Sequence, residues 1–167
     1  MTPAELPAAL RRLGQDVRDQ AALDAADAMA QAYQRGVVKS MTGPGPSAPG
    51  TPPGRRTGTL ARSIRPEPAK LTGAGRASSS VAPHTVYARI QQLGGDIYPV
   101  RAKALRWKVK TFGPLLKGAK RTNYVYAKHV YLPPRPYMVM DDTRRQECRS
   151  AAIKAISRVV KAAMLSG

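Results

Sequence analysis

The chain has 167 residues, of which 28 are lysine or arginine and ten are aspartate or glutamate, and its formal net charge is +18. Its single cysteine, Cys148, excludes an intrachain disulfide and suits a protein assembled in a reducing cytoplasm. The start of the chain lacks the basic and apolar regions of a signal peptide, and no apolar run approaches the roughly 18 residues of a membrane span. A soluble protein of one domain, residues 1–167, is therefore expected.

The positive charge is concentrated in the middle of the chain. Residues 1–40 carry five basic and five acidic side chains, whereas residues 41–140 carry 17 basic side chains and only two acidic ones, Glu67 and Asp96. Residues 141–167 add a net charge of +3. A field of this strength predicts a polyanionic partner, which is either nucleic acid or the acidic faces of partner proteins.

Residues 3–39 predict one long amphipathic helix that Thr2 and Pro3 cap and start. Apolar side chains recur at intervals near three and four residues, as they do along the buried side of a helix. The members of this stripe are Leu6, Leu10, Leu13, Val17, Ala21, Met29, Tyr33 and Val37.

Residues 41–57 are rich in glycine, proline and serine and predict a mobile loop, because this composition propagates neither a helix nor a sheet. The loop contains no Gly-Lys-Ser/Thr sequence, so a phosphate-binding P-loop is not supported. Residues 58–64 predict a short helical turn. Residues 65–82 predict two strands joined near Gly73-Ala-Gly75, with Ser78 to Val81 in the second strand.

The sequence YARIQQLGGDIYPVRAKALRW, residues 87–107, begins with a predicted short helix. Tyr87, Ile90 and Leu93 recur every three residues and are expected on one face of it. Gly94-Gly95 then stops the helix, since glycine accepts the positive φ that a helix exit often needs.

Strands are predicted on both sides of a basic turn after this helix. Ile97-Tyr98 is extended, and residues 104–109 alternate apolar and basic side chains as a half-buried strand does. Trp107 is expected to anchor the core, with contact to a partner as the alternative. Residues 111–124 predict an exposed hairpin loop, and residues 125–132 a further strand.

The last helix is predicted to begin near Asp141-Asp142, whose carboxylates suit a helix N-terminus. Its expected apolar face consists of Cys148, Ala152, Ile153, Ile156, Val160 and Ala163. The predicted class is therefore α+β: a long N-terminal helix, a small and mostly antiparallel sheet with a short crossing helix, and a C-terminal helix.

Residues that carry catalytic or metal chemistry are scarce. His84, His129 and Cys148 are too few for a structural zinc site without carboxylate help, and Glu67 and Asp96 show no recognisable partner spacing. No G-x-S-x-G sequence is present to anchor a nucleophile. We expect a protein that is not an enzyme and that binds neither a metal nor a cofactor.

Four segments follow one another in a recognisable order: TGTLARSI (57–64), YARI with Gly-Gly and Ile (87–97), KALRW (103–107) and PPRPY (133–137). In this order they resemble the tail-completion and neck proteins of tailed bacteriophages, namely the HK97 gp10-like group and the virion-morphogenesis proteins typified by the Mu G protein. Gln91, Gln92 and Leu93 stand where that family often carries His-Glu or a similar polar pair.

The resemblance implies a structural virion protein that forms a ring, expected to be a hexamer, at the phage neck. Such a ring joins or completes the tail at the head–tail interface and lets DNA pass through its lumen. The implied partners are further copies of the chain, head connector, adaptor or stopper proteins, the tail tube or terminator, and genomic DNA in the lumen, with no membrane. The implied localisation is the virion, after assembly in the bacterial host cytoplasm.

A first group of side chains is expected at an interface with other subunits or partner proteins: Arg101, Lys103, Arg106, Lys108, Arg135 and Tyr137. Arg135 lies between two prolines, so a stiff extended segment presents its guanidinium. It either contacts a neighbouring subunit or forms an intrachain clamp between the strand end and the last helix.

A second group is expected to contact DNA or an acidic partner: Arg55, Arg56, Lys117, Lys120 and Arg121. Lysine and arginine supply charge for phosphates, and the nearby Tyr124 and Tyr126 supply rings for bases. The hairpin loop that carries Lys117, Lys120 and Arg121 is equally well interpreted as a solvated tip that faces an acidic protein surface. A basic DNA-binding protein without sequence specificity is thus the alternative function.

Overall fold

The computed structural model describes residues 6–43, 47–108 and 124–165, with side chains from residue 11 onward. The long helix α1 (Leu6–Ser40) packs against the last helix, α4 (Asp142–Leu165), and the short helices α2 (Thr59–Ser63) and α3 (Ala88–Leu93) lie between them in sequence. Eight short strands complete the described elements: β1 (Ile64–Pro66), β2 (Lys70–Gly73), β3 (Arg76–Ser78), β4 (Val81–Pro83), β5 (Gly95–Ile97), β6 (Leu105–Lys108), β7 (Tyr124–Ala127) and β8 (Val130–Leu132). The predicted α+β class is confirmed. The expected helix start at Thr2-Pro3, and the side chains of Leu6 and Leu10, lie outside the described residues.

The strands form four antiparallel pairs: β1–β4, β2–β3, β5–β8 and β6–β7. The first two pairs are one long hairpin, since β2–β3 lies between β1 and β4 in sequence. The prediction of two continuous strands over 65–82 was wrong. Pro66 and Pro68 lack the N–H that a ladder needs, and the strand breaks between β1 and β2. The predicted turn is confirmed at Gly75, where φ is 65°.

Residues 124–132 also form two strands where one was predicted. Lys128-His129 interrupts the run, so β7 pairs with β6 and β8 pairs with β5. The His129 ring stacks on Tyr98 at the break, with the ring centres 5.8 Å apart. At this break the chain leaves the β6–β7 ribbon and enters the β5–β8 ribbon.

The central core lies where the C-terminal part of α1 meets α2, β1 and the segment before α4. Its buried members are Val37, Met41, Ala61, Ile64 and Tyr137. Side-chain carboxylates of α1 also hold the hairpin, because Asp27 Oδ1 accepts from the Ala69 N–H at 2.7 Å and Asp19 Oδ1 accepts from the Gly75 N–H at 2.5 Å.

The apolar stripes predicted for the two long helices are only partly buried. Leu13 is 60% exposed and Met29 is also exposed, whereas alanines such as Ala25 and Ala32 are buried. Helix α1 has neighbours on more than one side, α4 and the β1–β4 hairpin, so no single stripe describes its buried surface. Small side chains let these neighbours approach closely.

The apolar face predicted for α4 is also only partly buried. Cys148 is buried as expected, but Ile153 and Ile156 are exposed, and Ala155 is buried in their place. Gly36 of α1 meets the side chain of Arg144 on α4, where an added Cβ would lie 3.3 Å from Arg144 Cγ. In the part of the chain that the structure describes, neither long helix is apolar enough over its length to span a bilayer.

Residues 47–57 of the loop predicted to be mobile contact the body of the protein at several points. The Gly50 N–H donates to the Pro134 carbonyl at 2.9 Å, and the Arg55 guanidinium donates to the Val38 carbonyl at 2.7 Å. Pro53 is buried. A set of static contacts does not measure motion, so mobility of residues 41–57 stays a prediction.

Candidate anion-binding site

Two of the recognised segments, residues 87–97 and residues 133–137, fold directly on one another. The Arg135 N–H donates to the Gln91 carbonyl at 2.8 Å, and the Tyr137 hydroxyl donates to the Ala88 carbonyl at 3.3 Å. Gln92 Oε1 accepts from the N–H groups of Tyr137 and Met138 at 3.0 and 3.1 Å. The glutamine that departs from the family pattern thus holds backbone donors that would otherwise lack a partner.

Gly94 is required at the point where these two segments meet. Its φ is 72°, and an added Cβ would lie 2.8 Å from the Leu132 carbonyl oxygen and from the Pro134 nitrogen. Its N–H closes α3 by donating to the Ile90 carbonyl at 2.9 Å. The prediction that glycine ends this helix is confirmed, and close backbone approach is a second reason for glycine here.

The segment TGTLARSI has a folding role in the structure. Thr57 and Thr59 share a hydroxyl–hydroxyl hydrogen bond of 3.0 Å, and Gly58 between them has φ of 73°. Ala61 and Ile64 of the same segment lie in the central core.

Tyr137, predicted at an interface, is an interior residue. It is 1% exposed, and burial raises the pKa of its hydroxyl above the ordinary value. The prediction that it contacts a partner was wrong, because its ring is buried in the core with Val37, Met41 and Ile64. Trp107 shows the reverse, since it was expected in the core and is 40% exposed. It lies on a two-stranded ribbon whose strands contact mainly each other.

The predicted apolar face of α3 is also exposed in part. Tyr87 and Leu93, expected on one helical face with Ile90, are exposed, while Ala88 is buried.

Arg135 forms an intrachain clamp, but the clamp holds the loop at residue 47 and does not reach the last helix. Its Nε donates to the Ser47 carbonyl at 3.2 Å.

The link to α4 is made by Arg144, which is buried and donates from Nη1 to the Tyr137 carbonyl at 3.3 Å and to the Val139 carbonyl. Its backbone N–H donates to Asp141 Oδ1 at 2.8 Å. Sequence reasoning missed Arg144; the only signal was an arginine three residues after an acidic helix start.

Basic residues from distant parts of the chain converge on one groove of about 700 Å³. Arg55, Arg56, Lys108 and Arg135 line it, together with Ser47, Thr57, Thr59 and Tyr87. None of the described lining residues is acidic. We call this feature the cationic groove. It unites members of both predicted groups, two from the interface group and two from the group expected to contact anions.

One face of the β6–β7 ribbon continues the groove. Arg106 pairs with Tyr126 and Lys108 pairs with Tyr124, and alternate residues of a strand share a face, so all four side chains lie on the same side. The Arg106 guanidinium lies 4.7 Å from the centre of the Tyr124 ring. We call these four residues the basic-aromatic face. Lys108 belongs to both features and makes them one surface.

Two of the other predicted basic residues, Arg101 and Lys103, do not join this surface. Arg101 and Lys103 lie in the exposed turn before β6 and do not line the groove. Lys117, Lys120 and Arg121, with the rest of the hairpin loop predicted over 111–124 up to residue 123, lie outside the described residues.

The charge of this region is uncompensated. The three ion pairs among the described residues lie within α1, between Arg18 and Asp19, or at the start of α4, where Arg144 and Arg145 meet Asp141 and Asp142. Residues 47–108 and 124–140 contain thirteen lysines and arginines, and none of them takes part in these pairs. Cations without fixed counter-charges attract diffusible or partner anions.

Within the ranges that the structure describes, no three His, Cys, Asp or Glu side chains lie close enough together to hold a metal ion. What the surface offers chemically is charge, hydroxyl groups and aromatic rings, which suit the binding of anionic groups. Comparison of the chain with protein-family models, with curated proteins and with solved structures finds no match.

Proposed function

We propose that this chain is a structural subunit of the neck of a tailed phage, where copies of it form a ring that joins or completes the tail. One observation carries the proposal. Seven large apolar or aromatic side chains between residues 86 and 107 are exposed: Val86, Tyr87, Leu93, Ile97, Tyr98, Val100 and Trp107. Such side chains can serve as contacts with another chain, because aromatic residues are enriched in the cores of protein interfaces.

The ribbons provide a second support. Pairs β5–β8 and β6–β7 are each two-stranded, and a lone two-stranded ribbon is marginally stable in water. Among the described residues no third strand joins either pair, so their outer edges can pair with a neighbouring chain. When the same patch meets a different patch on the next copy, and the rotation closes, the product is a ring.

The resemblance to neck proteins supplies the place of this ring. It is consistent with two of the matching segments folding on one another through Gln91, Gln92 and Arg135, which makes them parts of one structural unit. Partner rings are then the head connector on one side and the tail tube or terminator on the other. No catalytic step is part of this role.

The oligomeric state of the purified chain tests the assembly. Light scattering after gel filtration, with negative-stain electron microscopy, is expected to show rings, either alone or after mixing with connector and tail-tube proteins. Trp107→Ser and Tyr98→Ser should weaken assembly because they remove exposed anchors, whereas Tyr126→Ser, on the opposite face of β6–β7 from Trp107, should leave it intact. A monomer in every mixture and at every concentration would contradict the ring.

The location needs its own measurement. Gold-labelled antibody against the purified protein is expected at the head–tail junction of particles that encode the chain. Label on the capsid shell, on the tail tip or only on free DNA would contradict the neck role.

A DNA-binding protein without sequence specificity is the second candidate, because thirteen basic side chains in the described part of residues 47–140 lie outside the ion pairs. It predicts a chain that stays monomeric and binds free duplex DNA with an affinity that falls steeply between about 50 and 200 mM salt. A ring that binds duplex weakly would count against this candidate.

A further inference from the structure

The basic-aromatic face carries two kinds of group that serve different parts of a polymer. Arg106 and Lys108 are cations, and Tyr124 and Tyr126 are flat rings on the same side of the ribbon. Tyr126 is 61% exposed, so most of its ring is available to a ligand. The Arg106 guanidinium lies over the Tyr124 ring, 4.7 Å from its centre, as in a cation–π contact.

A single nucleic-acid strand uses both kinds of group. Its phosphates are bound by lysine and arginine, and its unpaired bases stack on aromatic rings, largely without regard to base identity. A duplex presents its phosphates but keeps its base faces inside the stack. An acidic protein segment presents carboxylates, which need the cations but not the tyrosines.

We propose that the basic-aromatic face and the cationic groove together form a binding surface for single-stranded nucleic acid. Bases stack against Tyr126, and the phosphate backbone crosses Lys108 into the groove toward Arg55 and Arg56. Thr57 and Thr59, whose hydroxyl groups share a hydrogen bond, line the same groove. This surface does not depend on ring formation, because the apolar side of the same ribbon carries Trp107.

One of the groove's cations, Arg55, is held in place by hydrogen bonds within the chain. Arg55 is anchored through its guanidinium to the Val38 carbonyl and through its N–H to the Gly43 carbonyl at 2.7 Å, and Pro53 is buried beside it. Little side-chain ordering is then required at Arg55 when a strand binds, which favours affinity.

Fluorescence anisotropy with a labelled oligothymidylate and with a labelled duplex of equal length tests the proposal on the full chain. The single strand is expected to bind more tightly than the duplex. Its log affinity should fall with log salt at a slope of about −3, since four cations, Arg55, Arg56, Arg106 and Lys108, each contribute about −0.7 for a single strand. Equal or tighter binding of the duplex would overturn the proposal.

Matched variants separate stacking from general charge. Tyr126→Ala is expected to weaken strand binding about tenfold, because one stacked base is lost. Tyr131→Ala removes an equally exposed ring on β8 and should change binding less than about twofold. Lys108→Ala should weaken binding more than Lys70→Ala, which removes a cation from the β2–β3 hairpin.

Two outcomes would contradict the proposed role of this surface even if the chain binds nucleic acid. Equal losses in Tyr126→Ala and Tyr131→Ala would show that no stacking occurs at this face. Displacement of the strand by polyglutamate at equal charge concentration would assign the surface to an acidic protein. Neither outcome bears on whether the subunits form a ring, so the two proposals fail separately.

Discussion

The pair of long helices and the two ribbons differ in how they use charge and apolar surface. Between α1 and α4 the buried side chains are mostly alanines with Cys148, and all three described ion pairs lie on these helices or at the start of α4. Around β5–β8 and β6–β7 the aromatic side chains are exposed and the lysines and arginines lie outside those pairs. The helices therefore stabilise the fold, and the ribbons present exposed groups that are available to other molecules.

The largest expected effect is the loss of Tyr137 from the core. Tyr137→Ala should lower the free energy of unfolding by about 3–5 kcal/mol, because it empties a site that no solvent reaches. Tyr126→Ala on the ribbon should change it by less than about 0.5 kcal/mol. Urea unfolding of both variants measures the difference, and similar losses would remove the distinction between core and ribbon tyrosines.

Two neighbouring arginines at the start of α4 make the second comparison. Arg144→Ala should cost about 2–4 kcal/mol, since the carbonyls of Tyr137 and Val139 lose a buried charged donor. Arg145 pairs with Asp142 at 2.7 Å, but both side chains are exposed, so Arg145→Ala should cost less than about 0.5 kcal/mol. Equal effects in thermal or urea unfolding would show that Arg144 is not the clamp.

Two glycines should respond to alanine in opposite directions. Gly94→Ala should destabilise the protein by about 1–3 kcal/mol, because φ is positive and the new Cβ meets the Leu132 carbonyl at 2.8 Å. Gly14→Ala should stabilise it by about 0.5–1 kcal/mol, since this helical position has no atom within 4 Å of the added Cβ. A neutral Gly94→Ala would mean that the contact of α3 with residues 132–134 is loose.

Alkaline pH should weaken the core before it affects the ribbons. Burial raises the pKa of Tyr137, Tyr33 and Cys148, so the folded state keeps protons that the unfolded chain releases above about pH 9–10. Their contribution to stability is complete below the unfolded pKa and is lost as the pH rises through the folded pKa. Urea unfolding from pH 8 to 11 should show this decline, and Tyr137→Phe should make it shallower; an unchanged pH dependence in that variant would contradict the role of the Tyr137 hydroxyl.

The smallest expected effect concerns the loop held by Arg135. Arg135→Ala should speed hydrogen exchange at the Gly50 amide while lowering the free energy of unfolding by about 1 kcal/mol or less. Arg101→Ala, which removes an exposed cation from the turn before β6, is the control. If Gly50 exchanges as fast in the unaltered protein as in a free peptide, the predicted mobility of residues 41–57 is confirmed.

Local patterns in the sequence were sufficient for the elements whose signals are local. The helical periodicity before residue 40, the glycine exit at Gly94 and the acidic start at Asp141-Asp142 all correspond to observed features, because each depends on residues within a few positions of one another. The concentration of positive charge in residues 41–140 is likewise a property of composition and needs no fold.

Tertiary structure alone decided which of those residues are buried and which are brought together. Tyr137 was expected at an interface and is buried, whereas Trp107 was expected in the core and is exposed. Burial depends on whether another element covers a side chain, and neither periodicity nor alternation carries that information. Arg56 and Lys108 are 52 positions apart, and only the fold brings them to one groove without an acidic lining residue. The sequence determined how much positive charge the chain carries; the packing of the ribbons determined where that charge is presented.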